Sequence, residues 1–201
     1  MVRNIIFDYG KVLVNYDFDA LFRRLFPDED KSAAMSAFFN EPRHFQFSDR
    51  GFKTFEGAVE DFIRERPDLE AEMRLFCRHK PEGIFEEVPG MRGLLEKLKK
   101  RGLKFYGLTN WDTQVYVTLE QFGIFKLLDG MVISSEEHFV KPEPEIYRRL
   151  LEKYKLFPEE CVMVDDREEN VTGARAVGME GIVFRDAVQF EEELEFILSR
   201  N

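Results

Sequence analysis

The sequence predicts an α/β protein: a parallel sheet with helices on both faces, interrupted after its first strand by a small all-helical insertion. Three observations carry this. From about residue 86 onward, short uninterrupted apolar runs alternate with amphipathic stretches of helical period, the pattern of strands buried on both faces between crossover helices. A further run, Ile5-Ile6-Phe7, stands alone near the start. Between about 15 and 85 the rhythm breaks, with no convincing strand and several apolar stripes at helical spacing.

Taken in order, residues 4–7 form the first strand. In the insertion, Phe18, Phe22 and Phe26 recur at steps of four, followed by Phe55, Val59, Phe62 and Ile63, then by Leu69, Met73 and Phe76. These stripes read as the core of a helical subdomain rather than as an aromatic cage for a ligand. Pro89 and Gly90 punctuate entry to a helix carrying Leu94, Leu95 and Leu98, and Gly102 follows its end. Strands are expected at 103–108, 131–134, 161–164 and 181–184. Ile146, Leu150, Leu151 and Tyr154 mark another helix, and Gly178 sits just past a third. The expected division is 1–14 with 86–201 as the main domain and 15–85 as the insertion.

Composition narrows the function. The 201 residues carry 29 Lys and Arg against 39 Asp and Glu, a net charge of −10. That balance argues against nucleic acid or an anionic membrane surface as a partner, since both need a positive field. With 44% hydrophobic and 34% charged residues the chain is globular in character. Cys77 and Cys161 are too few for a disulfide framework or a cysteine zinc site, and read as small core residues of a reduced protein. No apolar run reaches the roughly 18 residues of a membrane span, and the first residues lack a signal-peptide core. A cytoplasmic location is expected.

Four local signals bear on chemistry. In Ile5-Ile6-Phe7-Asp8-Tyr9-Gly10, an aspartate directly follows an apolar strand, where open α/β sheets bind their ligands; alone, it suits a turn or N-cap aspartate equally well. Thr109-Asn110 ends the next strand, where a hydroxyl can meet a phosphate oxygen or cap the helix starting near Asp112. Lys141 lies just ahead of a helix opened by Pro142-Glu143-Pro144, a position also common for a surface lysine. Asp165-Asp166 follows Cys161-Val162-Met163-Val164, and adjacent carboxylates repel unless a cation or donors compensate. Such a pair suits a hard divalent ion, and Mg²⁺ commonly takes one or two carboxylates with phosphate oxygens.

In this order and placement, Asp8, Thr109-Asn110, Lys141-Pro142-Glu143-Pro144-Glu145-Ile146-Tyr147 and Val164-Asp165-Asp166 through Asn170 resemble the haloacid dehalogenase-like hydrolase superfamily over nearly the whole chain. Val88-Pro89-Gly90-Met91, with Leu94, Leu98 and Gly102-Leu103, resembles the stretch re-entering the core after a helical cap. The resemblance implies a Rossmann-like sheet, a cap at 15–85, and a Mg²⁺-dependent phosphatase acting on a small phosphorylated metabolite. It implies Asp8 as nucleophile and Lys141 as its charge partner. Thr109, Asn110 and Lys141 would bind phosphate, and Asp8, the Gly10 carbonyl, Asp166 and Asp165 would hold the metal.

One position departs from the family pattern. Most phosphatases of the superfamily carry a second aspartate, the general acid and base, two residues after the nucleophile; here that residue is Gly10. A branch resembling α-glucose-1-phosphate phosphatases shares Asp-x-Gly. The missing acid predicts a preference for leaving groups of low pKa, unless a residue such as His44 in the insertion replaces it. Arg43, His44, Arg50 and Lys53 are the insertion's candidates for touching substrate. Two alternatives stand beside the phosphatase: a 2-haloacid dehalogenase, against which the acidic pair argues, and a catalytically silent binding protein.

Overall fold

A computed structural model describes residues 2–41 and 46–200. Five strands form one parallel sheet: β1 (Asn4–Phe7), β4 (Lys104–Thr109), β5 (Gly130–Ile133), β6 (Cys161–Asp165) and β7 (Glu180–Val183), in the order β5-β4-β1-β6-β7. The central strand β1 pairs with β4 on one side, Ile5 opposite Phe105, and with β6 on the other, Ile5 opposite Val162. The chain builds outward from β1 through β4 to β5, then returns to the far side for β6 and β7. The reversal beside β1 is where such sheets leave a crevice at their carboxyl ends.

Because side chains alternate across a strand, β1 serves both faces. Ile5 and Phe7 enter a core with Leu94, Leu95 and Leu98 of α6 (Met91–Lys100) and Phe190, Leu194 and Ile197 of α11 (Ala187–Ser199). Ile6 points the other way, to Ile146, Tyr147 and Leu150 of α9 (Pro144–Tyr154) and Ala174 of α10 (Glu168–Ala176). Each fully buried Leu, Ile or Phe among them contributes about 1.5–3 kcal/mol relative to exposure. The strands expected from the sequence all form, with ends shifted by about one residue. Gly102 and Gly178 do take left-handed backbone, with φ of 88° and 94°.

Between β1 and β4 the chain forms α1 (Phe18–Leu25), α2 (Glu29–Phe39), α3 (Gln46–Asp49), α4 (Phe55–Glu65) and α5 (Glu70–His79). Asp17 caps α1 by accepting from Ala20 N at 2.7 Å, and Thr54 caps α4 by accepting from Gly57 N at 3.1 Å. The stripes Phe22, Phe26, Phe55, Val59, Ile63, Leu69, Met73 and Phe76 converge on one core of their own, as their spacing predicts. The expectation of no strand near this stretch needs correction. β2 (Val14–Tyr16) and β3 (Ile84–Glu87) form an antiparallel pair where the chain leaves for the helices and where it returns. Three and four residues are too short to display a period of two, and the two halves lie far apart in sequence.

Two short helices, α7 (Val115–Gln121) and α8 (Ser134–Glu137), follow β4 and β5. Cys161 is buried and Cys77 partly so, both as free thiols. Among the described residues no helix is long and apolar enough to cross a membrane.

Candidate active site

The carboxyl ends of β1, β4 and β6 open into a cavity of about 850 Å³ whose opposite wall comes from the helical segment. Asp8 follows β1 directly, its backbone N–H held by Val164 O at 2.9 Å. Thr109 ends β4 and is buried; Asp165 ends β6, fully buried, while Asp166 faces the opening. The strand run and its parallel register thus deliver these side chains to one edge.

Lys141 is at the centre. Its side chain is 1% exposed, with Nζ 2.8 Å from Asp8 Oδ1 and 2.6 Å from Asp165 Oδ2. A buried ammonium is tolerable only with such pairing. The other Asp165 oxygen accepts from Arg167 N at 3.0 Å and from Asn170 Nδ2 at 2.9 Å, so both oxygens of this carboxylate are held in place. Asn170 is held in turn, its carbonyl accepting from the Tyr147 hydroxyl at 2.7 Å. Asn110 clamps the main chain of Lys141 from both ends: Asn110 Nδ2 donates to Lys141 O at 2.9 Å, and Lys141 N donates to Asn110 Oδ1 at 2.8 Å. The side chain expected to bind phosphate is therefore engaged in positioning the lysine.

The charges have consistent consequences. Burial opposes the Lys141 ammonium, but Asp8 and Asp165 outweigh it and hold the lysine above its ordinary pKa. Burial lifts the Asp8 carboxyl; Lys141 draws it back and Asp165 lifts it again, leaving it above the usual carboxylate value. Asp166 is pushed up to about 6, by desolvation first and then by Asp8 and Asp165. Three carboxylates in mutual repulsion are what a divalent cation relieves. Oxygens of Asp8, Asp165 and Asp166 all lie within 4.8 Å of one another, so the residues present fit such an ion.

Gly10 sits in a tight turn in which Leu13 N and Val14 N both donate to Tyr9 O, at 2.9 and 3.0 Å. A Cβ on Gly10 would lie 2.9 Å from Tyr16 Cε1. The Tyr16 ring thus fills the space that a longer side chain would use.

From the helical segment, Arg50 reaches the main sheet domain and pairs with both oxygens of Glu143, which also accepts from Val140 N at 3.1 Å. Lys53 instead pairs with Asp61 in α4. Arg43 and His44 lie outside the described residues. Tyr16, Lys80, Asp112 and Asp49 also line the cavity and were not expected there. Lys80 and Asp112 form a buried ion pair across 32 residues, which no local pattern announces. The loop after α3 is pressed onto α8: Gly51 has φ +68°, and a Cβ there would stand 1.8 Å from Ser135 O. Gly51→Ala is therefore expected to force the loop off the sheet domain, lowering Tm by several degrees in a thermal melt and exposing the loop to protease.

Comparison with known proteins gives one consistent picture. A family model described as haloacid dehalogenase-like hydrolase matches residues 2–178. The glyceraldehyde 3-phosphate phosphatase of Pyrococcus furiosus is 30% identical over 149 residues, covering 68% of this chain and 60% of that protein. The chain spans about half to three-fifths the length of this relative and of two further phosphatases, from Aspergillus oryzae and Thermotoga maritima. Among solved structures, a predicted HAD-like hydrolase from Porphyromonas gingivalis superposes with a TM-score of 0.76 at 19% identity, covering 98% of each chain. A HAD-family enzyme from Bacteroides thetaiotaomicron, crystallised with magnesium and inorganic phosphate, gives 0.73 at 22% identity, covering 93% of this chain and 96% of that one. At these identities the two structures speak to the fold.

Proposed function

The chain belongs to the haloacid dehalogenase-like hydrolase family, and we propose that it is a Mg²⁺-dependent phosphatase that hydrolyses a small phosphorylated metabolite, a sugar phosphate being the favoured class. The observation that carries the reading is Asp8 beside the buried Lys141, with Asp166 and Asp165 completing a cluster of three carboxylates. A dehalogenase attacking carbon has no use for a cation cluster; transfer from a dianionic phosphate does. The phosphatase relative from Pyrococcus supports the substrate class.

On this reading Asp8 attacks phosphorus in line, forming an aspartyl-phosphate and expelling the alcohol, and water then cleaves the acyl phosphate to regenerate Asp8. Lys141 neutralises charge on Asp8 and the phosphoryl oxygens as they approach. Thr109 and the backbone after it bind phosphate oxygens, while Asn110 keeps Lys141 aimed. Asp8, Asp166 and the Gly10 carbonyl would hold Mg²⁺, with Asp165 close behind. When bound, the ion offsets phosphate charge and lets one anion approach another. The segment 15–85 acts as the cap that excludes water and selects the leaving group.

Phosphate release from p-nitrophenyl phosphate, with and without Mg²⁺, tests the proposal. Chelation is expected to abolish release and Mg²⁺ to restore it, and Asp166→Ala to raise the Mg²⁺ requirement by about 10-fold or more. Because Asp166 titrates near 6 without metal, protons compete with the ion: apparent Mg²⁺ affinity is expected to weaken as pH falls below about 6 and to level off above 7. Undiminished turnover in chelator, or halide release from a 2-haloacid, contradicts the phosphatase.

A further inference from the structure

Expelling an ordinary alcohol from phosphorus requires a proton on the departing oxygen, because an alkoxide is a poor leaving group. A positioned acid typically accounts for about 10²–10⁴-fold in rate. Among the described residues, none of the groups clustered around Asp8 is free to give one. Lys141 is locked between two carboxylates, both Asp165 oxygens are bonded, and Asp166 belongs to the cation cluster. Gly10 has no side chain, and the Tyr16 ring covers it. The Tyr16 phenol is held above its ordinary pKa by burial, then by Asp166 and Asp8, which makes it a still weaker acid.

The opposite wall supplies a better candidate. Asp49 ends α3 and lines the same cavity as Asp8. Its main chain is tied to the loop after Thr109 through one hydroxyl: Ser134 Oγ donates to Asp49 O at 2.6 Å and accepts from Trp111 N at 3.0 Å. Ser134 thus ties Asp49 to the loop after Thr109, on the wall of the cavity that faces Asp8. The position is braced, since His138 Nδ1 meets Arg50 O at 2.7 Å and Arg50 pairs with Glu143. Yet the carboxyl itself accepts no hydrogen bond from the described residues. A braced backbone whose carboxyl lines a cavity and accepts no hydrogen bond among the described residues suits a group that meets a ligand.

We infer that Asp49 protonates the departing ester oxygen and then takes a proton from the water that clears the aspartyl-phosphate, the two tasks for which Gly10 provides nothing. The inference rests on the phosphatase reading. In the first step the bond from Asp8 oxygen to phosphorus forms, the bond from phosphorus to the ester oxygen breaks, and the Asp49 proton goes to that oxygen. In the second, water loses a proton to Asp49 and bonds to phosphorus while the bond to Asp8 breaks, releasing inorganic phosphate and restoring both carboxyl groups. The electrostatics agree: burial and the charge of Asp112 raise Asp49 to about 7, with Lys80 partly offsetting them. Asp17, Asp19 and Arg50 also line the cavity on this wall, Arg50 faces Glu143 and meets the His138 ring through its carbonyl, and Cys77 and Glu56 flank Lys80 and Asp112.

The test is kcat/KM across phosphate esters of rising leaving-group pKa, from 2,4-dinitrophenyl phosphate to glycerol 3-phosphate, with Mg²⁺ present. Asp49→Asn is expected to lose about 10²–10⁴-fold on the alkyl ester and less than about 10-fold on the dinitrophenyl ester, whose phenolate needs no proton. The wild-type alkyl rate should also fall as pH rises through about 7, where the acid loses its proton, and that limb should vanish in Asp49→Asn. Turnover of the dinitrophenyl ester certifies that the variant is folded. Should it not fold, Asp49→Glu carries the test: a displaced alkaline limb supports the assignment and an unmoved one overturns it. Equal losses on every ester, or none, overturn the role of Asp49 while leaving the phosphatase standing. Failure of wild type to hydrolyse any ester removes the phosphatase reading, and this assignment with it.

Discussion

Asp8→Asn is expected to lower phosphatase kcat by about 10⁴-fold or more while leaving the fold intact. The amide matches the carboxylate in shape but cannot attack phosphorus and is a weak ligand for a hard cation. The fold should survive because Lys141 keeps its 2.6 Å partner Asp165 and the backbone bond to Val164 O is untouched. Burial already lifts the Asp8 carboxyl above its ordinary pKa, so the native state gains little from its charge. Circular dichroism should be unchanged and Tm should stay within a few degrees. Substantial hydrolysis by the purified, folded variant removes Asp8 from the nucleophile's role.

Lys141→Met should have the largest effect on stability, about 3–5 kcal/mol in denaturant unfolding, because it strands two carboxylates in the interior. Asp165 keeps only Arg167 N and Asn170 Nδ2, and Asp8 loses its cation. The sign of the pH effect follows. Without Lys141 only the Tyr9 backbone N–H offsets the burial that raises Asp8, so the folded variant takes up a proton at higher pH than the unfolded chain does. Its deficit against wild type is therefore expected to narrow as pH drops from 8 toward 5. Activity should fall by at least about 10²-fold at every pH. A deficit below 1 kcal/mol, or one that widens on acidification, contradicts the buried triad.

The candidate site is legible in the sequence where a polar side chain ends an apolar run. Asp8, Thr109 and Asp165 each do so, and a parallel sheet brings such ends to one edge. Lys141 is legible through the prolines opening the helix behind it. What is not legible depends on partners far away in the chain. Asn110 reads as a phosphate ligand because nothing local reveals that its amide is bonded to Lys141, 31 residues on. Lys80 looks like any lysine at a helix end until it meets Asp112. Asp49 gains its place only when Ser134, 85 residues later, takes hold of its carbonyl. The strands β2 and β3 escape for the same reason, since each needs the other and neither is long enough to announce itself. The phenylalanine stripes, by contrast, satisfy one another within the segment that carries them, so their helices and core are predictable from spacing alone.

The most direct measurement is an acid quench of the enzyme turning over p-nitrophenyl phosphate labelled at phosphorus, followed by peptide mapping. The account predicts acid-stable label on the peptide containing Asp8, formed with Mg²⁺, absent in chelator and absent in Asp8→Asn. Steady phosphate release with no label on the protein, or label on a different residue, would contradict it.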